Sequence, residues 1–362
     1  MKTPGDLIRE RCEALGWTQA DLAYVLGVTT ATINQLINGK RGVTSKMAKG
    51  LGAALMVEPV TIVRLQAERE LEGADEPRPA IAARARILSV YPLREMLKRG
   101  WVEETDDPRE LEQRVCRFFG TESVGDIPHL SHAAKRSPSD KRASQLAWLF
   151  RVRQIANEMP TPAFSRKNLA DAIEQMSQFL GNREEVRHVP KLLHNSGVRY
   201  VVVEGLSDSK IDGACLWLDA KSPVIGMSLR FDRIDNFWFV LRHECAHVLH
   251  GHGQDIAIID SELQQINDDE SEEERIANTE AAEFCVPQAK MDSFYIRKNP
   301  LFSEKDVLAF SKRLKVHPGI IVGQLHKRRN RYDFLRHNLV SVRDQIEGDA
   351  MIDGYGHFVP IG

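Results

Sequence analysis

The chain has 362 residues, 42% hydrophobic and 28% charged, with a formal net charge of −2. That length leaves room for two or three domains with real cores. Five scattered cysteines, an odd number, argue against a disulfide framework and for a reducing compartment. The opening "MKTPGDLIRERCEALG" lacks an apolar signal segment, and "NFWFVL" is far too short to cross a bilayer, so the expectation is a soluble cytoplasmic protein with no membrane partner. The charge is uneven: residues 254–283 hold eleven acids against Arg275, whereas residues 305–343 hold ten bases against Asp306 and Asp333. By default such runs are solvated faces.

The first elements in the chain read as two helices joined by a tight turn, in "WTQADLAYVLGVTTATINQLINGKRGVT". Thr18 caps the first helix with Asp21 three residues on, and Ala20, Leu22, Ala23 and Leu26 form its inner face. Gly27 suits the break. Thr29 caps the second helix, whose Ile33, Leu36 and Ile37 point inward. Thr30, Thr32, Asn34 and Gln35 are left outward, followed by a basic turn. This is a helix-turn-helix with a second helix sized for a major groove.

Residues 3–70 closely resemble the XRE-type domain of HigA-like antitoxins. The resemblance implies operator reading by Thr30, Thr32, Asn34 and Gln35, with Lys40, Arg41 and Lys46 on phosphates of double-stranded DNA. The helix offers no arginine for guanine, only short polar side chains and two amides that suit adenine. With nine bases and seven acids in residues 1–70, phosphate attraction is modest. Paired half-sites make a homodimer the default.

"LEGADEPRPA" (71–80) reads as a linker, and residues 81–157 as helices broken by turns at "TDDP" and "GDIP". "RSPSDKRAS" (136–144) reads as a polar loop. Around Gly197 the pattern changes to short buried strands, "GVRYVVVE" and "PVIGMSL", with "GACLWLD" between them. A long helix then carries "IDNFWFVLRHECAHVLHG". A second helix, "EERIANTEAAEFCV", stops at Pro287, and the remainder is helical with a proline-glycine break.

In the long helix His243 and His247 lie one turn apart on one face, so both can offer imidazole nitrogens to one metal. Glu244 sits beside that face, placed to take a proton from water without being a ligand. A catalytic zinc wants a third protein ligand and an open fourth position. Glu274 can supply the ligand, with Asn278 four residues on holding a histidine by its other ring nitrogen. Glu270, Glu272 and Glu273 are rivals that spacing does not exclude.

"HECAHVLHGH", followed by "EERIANTEAAEFCVP", resembles the ImmA/IrrE family of metallopeptidases. The resemblance extends weakly from about Ser165 to about Val342. It implies His243, His247 and Glu274 as zinc ligands and Glu244 as catalytic base, with the "PVIGMSL" strand offering its edge to an extended peptide. The chain departs from the family at Glu280, usually aromatic, and at Cys285, commonly leucine. The fold expected is mainly α with a small β-sheet, of α+β class. Its parts are a helix-turn-helix domain (1–70), a linker and helical connector (71–164), a zincin-like metallopeptidase domain (165–342) and a C-terminal tail (343–362).

Other residues carry weaker expectations. His250 and His252 read as exposed or hydrogen-bonded rather than carbonyl-polarising, and Tyr295 and His317 are candidates for transition-state stabilisation. Cys245 should face the core, while Cys215 or Cys285 is a candidate removable fourth ligand. "HKRRNRY" offers Lys327, Arg328, Arg329 and Arg331 as a single-stranded DNA contact, against a solvated helix face. The family resemblance implies limited, signal-gated proteolysis of an XRE-type repressor, or of the chain itself, in a stress, mobile-element or phage-defence circuit. The competing expectation is a HigA-like antitoxin or repressor whose zinc domain is structural or sensory.

Overall fold

The computed structural model describes residues 2–124, 126, 141–254, 257–261, 271–346 and 350–360. The chain forms two compact units, 1–78 and 79–362.

The first unit is five helices: α1 (Pro4–Leu15), α2 (Gln19–Leu26), α3 (Thr30–Ile37), α4 (Ser45–Leu55) and α5 (Pro59–Glu72). Local chemistry sets their ends. Thr18 and Asp21 form a reciprocal capping box on α2, Gly27 takes the left-handed conformation (φ 65°), and the Thr29 hydroxyl accepts from the Thr32 amide. Leu22, Ala23, Ile33, Leu36 and Ile37 are buried together with Ile8, Leu51 and Ile62. Ala20, expected on the inner face, is exposed, because the core-facing stripe of α2 is narrower than expected.

The second unit is α+β. It opens with α6 (Pro79–Leu88), α7 (Leu93–Lys98), α8 (Pro108–Phe119), α9 (Lys141–Glu158) and α10 (Arg166–Ser177). After α11 (Val189–Asn195) come three strands: β1 (Arg199–Val203), β2 (Ile211–Trp217) and β3 (Pro223–Met227). Helix α12 (Ile234–His250), strand β4 (Ile258–Ser261) and helix α13 (Glu272–Cys285) follow. The remainder is α14 (Gln288–Lys298), α15 (Glu304–Leu314), α16 (Pro318–Arg329), α17 (Arg343–Ile346) and β5 (Met351–Asp353). The sheet order is β4-β2-β3-β1-β5, with β1 parallel to β3 and β5, and β2 antiparallel to β3 and β4. Strand β3 is therefore internal and has no free edge for a peptide, contrary to expectation. The strand at that end of the sheet is β4.

The connector and tail boundaries also shift. The strands are apolar at nearly every position, so both faces of the sheet must be covered. Tyr200, Val202, Cys215 and Ile225 face the core that holds Trp238 and Leu241 of α12. Val201, Val203, Ala214 and Val224 face a second core, built from Trp148, Val152 and Ile155 of α9 and the aromatics of α8. Helix α9 sits close against the sheet: the Trp148 indole donates to the Val203 carbonyl at 2.8 Å. A Cβ on Gly226 would lie 2.9 Å from Val152. Helices α6 to α9 are thus one layer of this unit rather than a connector, and β5, from the expected tail, completes the sheet. Of the expected polar loop, residues 136–140 lie outside the described residues and 141–144 open α9; of the turn at 125–128, only Asp126 is described. Among the described residues no helix is long and apolar enough to cross a membrane.

Candidate metal centre and nucleic-acid interface

Helix α12 lies under the sheet against β2, with His243, Glu244 and His247 fully buried. Helix α13, capped by the Ser271 hydroxyl on the Glu274 amide, presents Glu274 to the same point. Strand β4 brings a fourth group, Asp260, itself buried. One donor atom from each of His243, His247, Asp260 and Glu274 lies within 4.8 Å of all the others.

The spacings suit a metal. Four donors about 2.0–2.1 Å from a tetrahedral ion stand roughly 3.3 Å apart. Here the two Nε2 atoms are 2.9 Å apart. His243 Nε2 is 3.2 Å from Asp260 Oδ2 and 3.3 Å from Glu274 Oε2. His247 Nε2 is 3.6 Å from Glu274 Oε1 and 4.0 Å from Asp260 Oδ2. Two imidazole nitrogens face each other across carboxylates, and both Glu244 oxygens are buried with no hydrogen-bond partner. Without a metal such a cluster tolerates burial by holding protons on His243 and the Glu244 carboxyl, and a bound cation would take their place.

The far side of each histidine is also held. His243 Nδ1 lies 3.1 Å from Asn278 Oδ1, and His247 Nδ1 lies 3.1 Å from His252 Nδ1, so both Nε2 atoms are turned to the cluster. The His252 carbonyl in turn accepts from the Trp217 indole at 2.9 Å. His250 pairs with Glu280 at 2.8 Å, and Glu280 also takes Arg242 at 2.6 Å. The unusual Glu280 thus ties α12 to α13. Glu244 has space only because β2 carries glycine beside it: a Cβ on Gly213 would sit 2.2 Å from Glu244 Oε1.

The electrostatics of the metal-free cluster follow from burial among three carboxylates. Burial alone would depress His243, but Asp260 and then Glu274 outweigh it and raise its pKa to about 9. His247 is pushed down to about 4, first by burial and then by the charge on His243, with Asp260 opposing. Burial, reinforced by Asp260, pushes the Glu244 carboxyl well above its ordinary value. The proton on His243 must leave before its nitrogen can bind a metal. Zinc uptake at pH 7 is therefore expected to release the His243 proton, with apparent affinity climbing as pH rises toward about 9. Calorimetric titration in buffers of different ionisation enthalpy reads this directly; pH-independent affinity between 7 and 9 would contradict it.

Among the rivals for Glu274, Glu272 is exposed and pairs with Arg275 at 3.0 Å, Glu273 is exposed, and Glu270 lies outside the described residues. No cysteine belongs to the cluster among the described residues. Cys245 and Cys285 are buried in the core around α12, and the Cys215 thiol approaches the His252 carbonyl at 3.7 Å. Burial raises all three thiol pKa values, in line with plain buried cysteines, and the fourth donor in the cluster is Asp260 rather than the candidate Cys215 or Cys285. His317 caps α16, its Nδ1 accepting from the Gly319 amide, and Tyr295 packs on Phe302.

The expected single-stranded DNA patch is likewise engaged within the protein. Arg328 pairs with Asp292 and bonds Gln288, and Arg331 makes a two-pronged pair with Asp333. Arg329 bonds the Pro300 carbonyl and lies over Phe302 and Phe334. Lys327 lies 5.0 Å from the Phe239 ring centroid. These groups brace α16 instead of forming one open cationic face.

In the N-terminal unit Thr30, Asn34, Gln35, Lys40, Arg41 and Lys46 are exposed, while Thr32 is half-buried with its hydroxyl 3.0 Å from that of Thr29. Asn34 is oriented by a chain of amides, donating to Gln19 at 3.3 Å and accepting from Asn38 at 3.0 Å.

Comparison with known proteins matches each half. Residues 8–61 fit the family model described as Helix-turn-helix, and residues 199–322 fit the peptidase-family model described as IrrE N-terminal-like domain. A stretch of 74 residues, 20% of this chain, is 38% identical to "Virulence-associated protein A'" of Dichelobacter nodosus. The match spans 64% of that relative's length.

Proposed function

We propose that this chain, which joins a helix-turn-helix domain to an IrrE-like peptidase domain, is a DNA-binding regulator with a zinc-dependent endopeptidase activity. The observation that carries the reading is Glu244, a buried carboxyl set beside a cluster of metal-ligating donors. A structural metal site has no use for it. A zinc ion on His243, His247 and Glu274 would supply Lewis acidity and acidify water. Glu244 would take the proton from the attacking water and pass it to the leaving amine. Asn278 and His252 fix the two imidazole rings, so the donors need not reorganise as the reaction proceeds.

The substrate class we favour is a repressor of XRE type, or the chain itself, cut under the control of a stress, mobile-element or phage-defence signal in the cytoplasm. A self-cut that freed the DNA reader without breaking a described helix would fall in 73–78, between α5 and α6. The proteolytic half is tested by searching for new protein termini when the full chain is incubated with an XRE-type repressor.

The DNA-reading half rests on α3 and the basic turn after it, with two copies on paired half-sites. Lys40 and Arg41 are exposed there and suit phosphates. Replacing both with alanine is expected to lower the slope of log affinity against log salt by about 2 on any duplex, close to 0.9 per lost phosphate contact. Fluorescence anisotropy across a salt series measures it. An unchanged slope would move the DNA contact away from this turn.

A further inference from the structure

The site described above has one donor more than a working zinc peptidase needs. A catalytic zinc takes three protein ligands and keeps its fourth position open, whereas a fully protein-ligated ion is closed. Asp260 is not a bystander at the edge of the set. Its Oδ2 is as near His243 Nε2 (3.2 Å) as the Glu274 oxygen is (3.3 Å), and the residue is only 4% exposed. In the metal-free site its carboxylate is held by the His243 ring and the Glu244 carboxyl, the two groups nearest the metal position. Two neutral imidazoles with two carboxylates also balance a divalent charge, the condition under which such groups tolerate burial.

Where Asp260 comes from is as informative as where it points. It lies on β4, directly opposite Gly213 of β2, the residue whose missing side chain admits Glu244. Strand β4 is four residues long, is paired on β2 alone, and its register slips between Ile211 and Gly213. It therefore occupies the edge of β2 beside Glu244, where an extended peptide would otherwise add as a strand.

We propose that Asp260 is a fourth protein ligand that closes the metal site in this conformation, making β4 an internal occupant of both the open coordination position and the peptide-binding edge. Peeling β4 from β2 would free both at once. The closed state accounts for how a peptidase can be carried safely until its signal arrives. The assignment rests on the peptidase reading for its purpose, but not for its test.

The test uses the full-length protein loaded with cobalt(II) and titrated with azide, a small anionic probe of an open position, with the visible spectrum as readout. Wild type is expected to keep its spectrum, whereas Asp260→Asn and Asp260→Ala give a one-site spectral change. Zinc competition against a chromophoric chelator should show affinity lower by at least about tenfold in both variants, a loss that second-sphere changes alone can reach. Thermal melts of the zinc forms separate these effects from misfolding, and the wild-type titration needs no variant. A wild-type spectrum that answers azide would overturn the proposal. So would variants that hold zinc as tightly as wild type. If the variants take azide yet cut no protein, the ligand assignment stands and the peptidase reading fails.

Discussion

Glu244→Gln is expected to lower peptide-bond cleavage by about 10^3- to 10^4-fold, the upper range for loss of a general acid–base group, while metal binding at His243, His247 and Glu274 persists. The amide keeps the shape of the carboxyl and fits the same space beside Gly213. It cannot accept the proton of the attacking water. The fold should not suffer. In the metal-free protein the Glu244 carboxyl sits well above its ordinary pKa, chiefly through burial. The folded state then holds a proton that the unfolded state has released, so stability falls as pH rises above the unfolded value. Glutamine removes that penalty. The metal-free variant should therefore melt at or above the wild-type temperature at pH 7, with a smaller decline between pH 5 and 7. Cleavage kinetics paired with melting curves at the two pH values check both halves. A variant that loses activity by unfolding would show the opposite melting shift.

The largest expected stability effect lies far from the chemistry. Asp353 on β5 and Arg151 on α9 form an ion pair whose side chains are 2% and 3% exposed. Asp353 also accepts from the Trp101 indole at 3.0 Å and from Arg151 Nε at 2.7 Å, and Arg151 reaches the Val359 carbonyl at 2.6 Å. Asp353→Ala leaves a guanidinium buried without its counter-charge, a change that costs about 3–5 kcal/mol. For a unit of this size the melting temperature should drop by on the order of 10 °C, read by circular dichroism or calorimetry. Were residues 343–362 a peripheral tail, the change would stay within about 0.5 kcal/mol. The same pair explains why residues 79–157 cannot be treated as a spacer: their helix α9 carries the partner of the last strand.

Legibility in the sequence tracked the range of the interactions. Thr18, Gly27 and Thr29 could be placed because caps depend on neighbours within four residues, and the structure has all three in those roles. The His243–His247 pair was visible because helical periodicity alone puts both on one face. Glu274 and Asn278 were readable only as a helix face whose partner was inferred from resemblance, yet both meet His243. Asp260 gave no signal. It is one acid among eleven in residues 254–283, on a strand too short to establish a period, and only strand pairing with β2 brings it to the histidines. The internal partners of the basic run 327–331 were hidden for the same reason, since Asp292 and Pro300 lie outside its own helix and nothing local foretold them. "RYVVV" did carry a hint of the second covering layer, because a strand apolar on both faces needs two cores, but it could not name the helices.

The most direct test of the account is mass spectrometry of protein termini after the zinc-loaded full chain, wild type or Glu244→Gln, is incubated with a purified XRE-type repressor. One defined set of new termini, in the repressor or within residues 73–78 of the chain, is expected once the signal, or Asp260→Ala in its place, frees β4 from β2, and none when Glu244→Gln is tested under the same conditions. Cleavage equal in both proteins, or none by wild type or Asp260→Ala with zinc bound at unit stoichiometry, would contradict it and leave a DNA-binding regulator with a structural metal site.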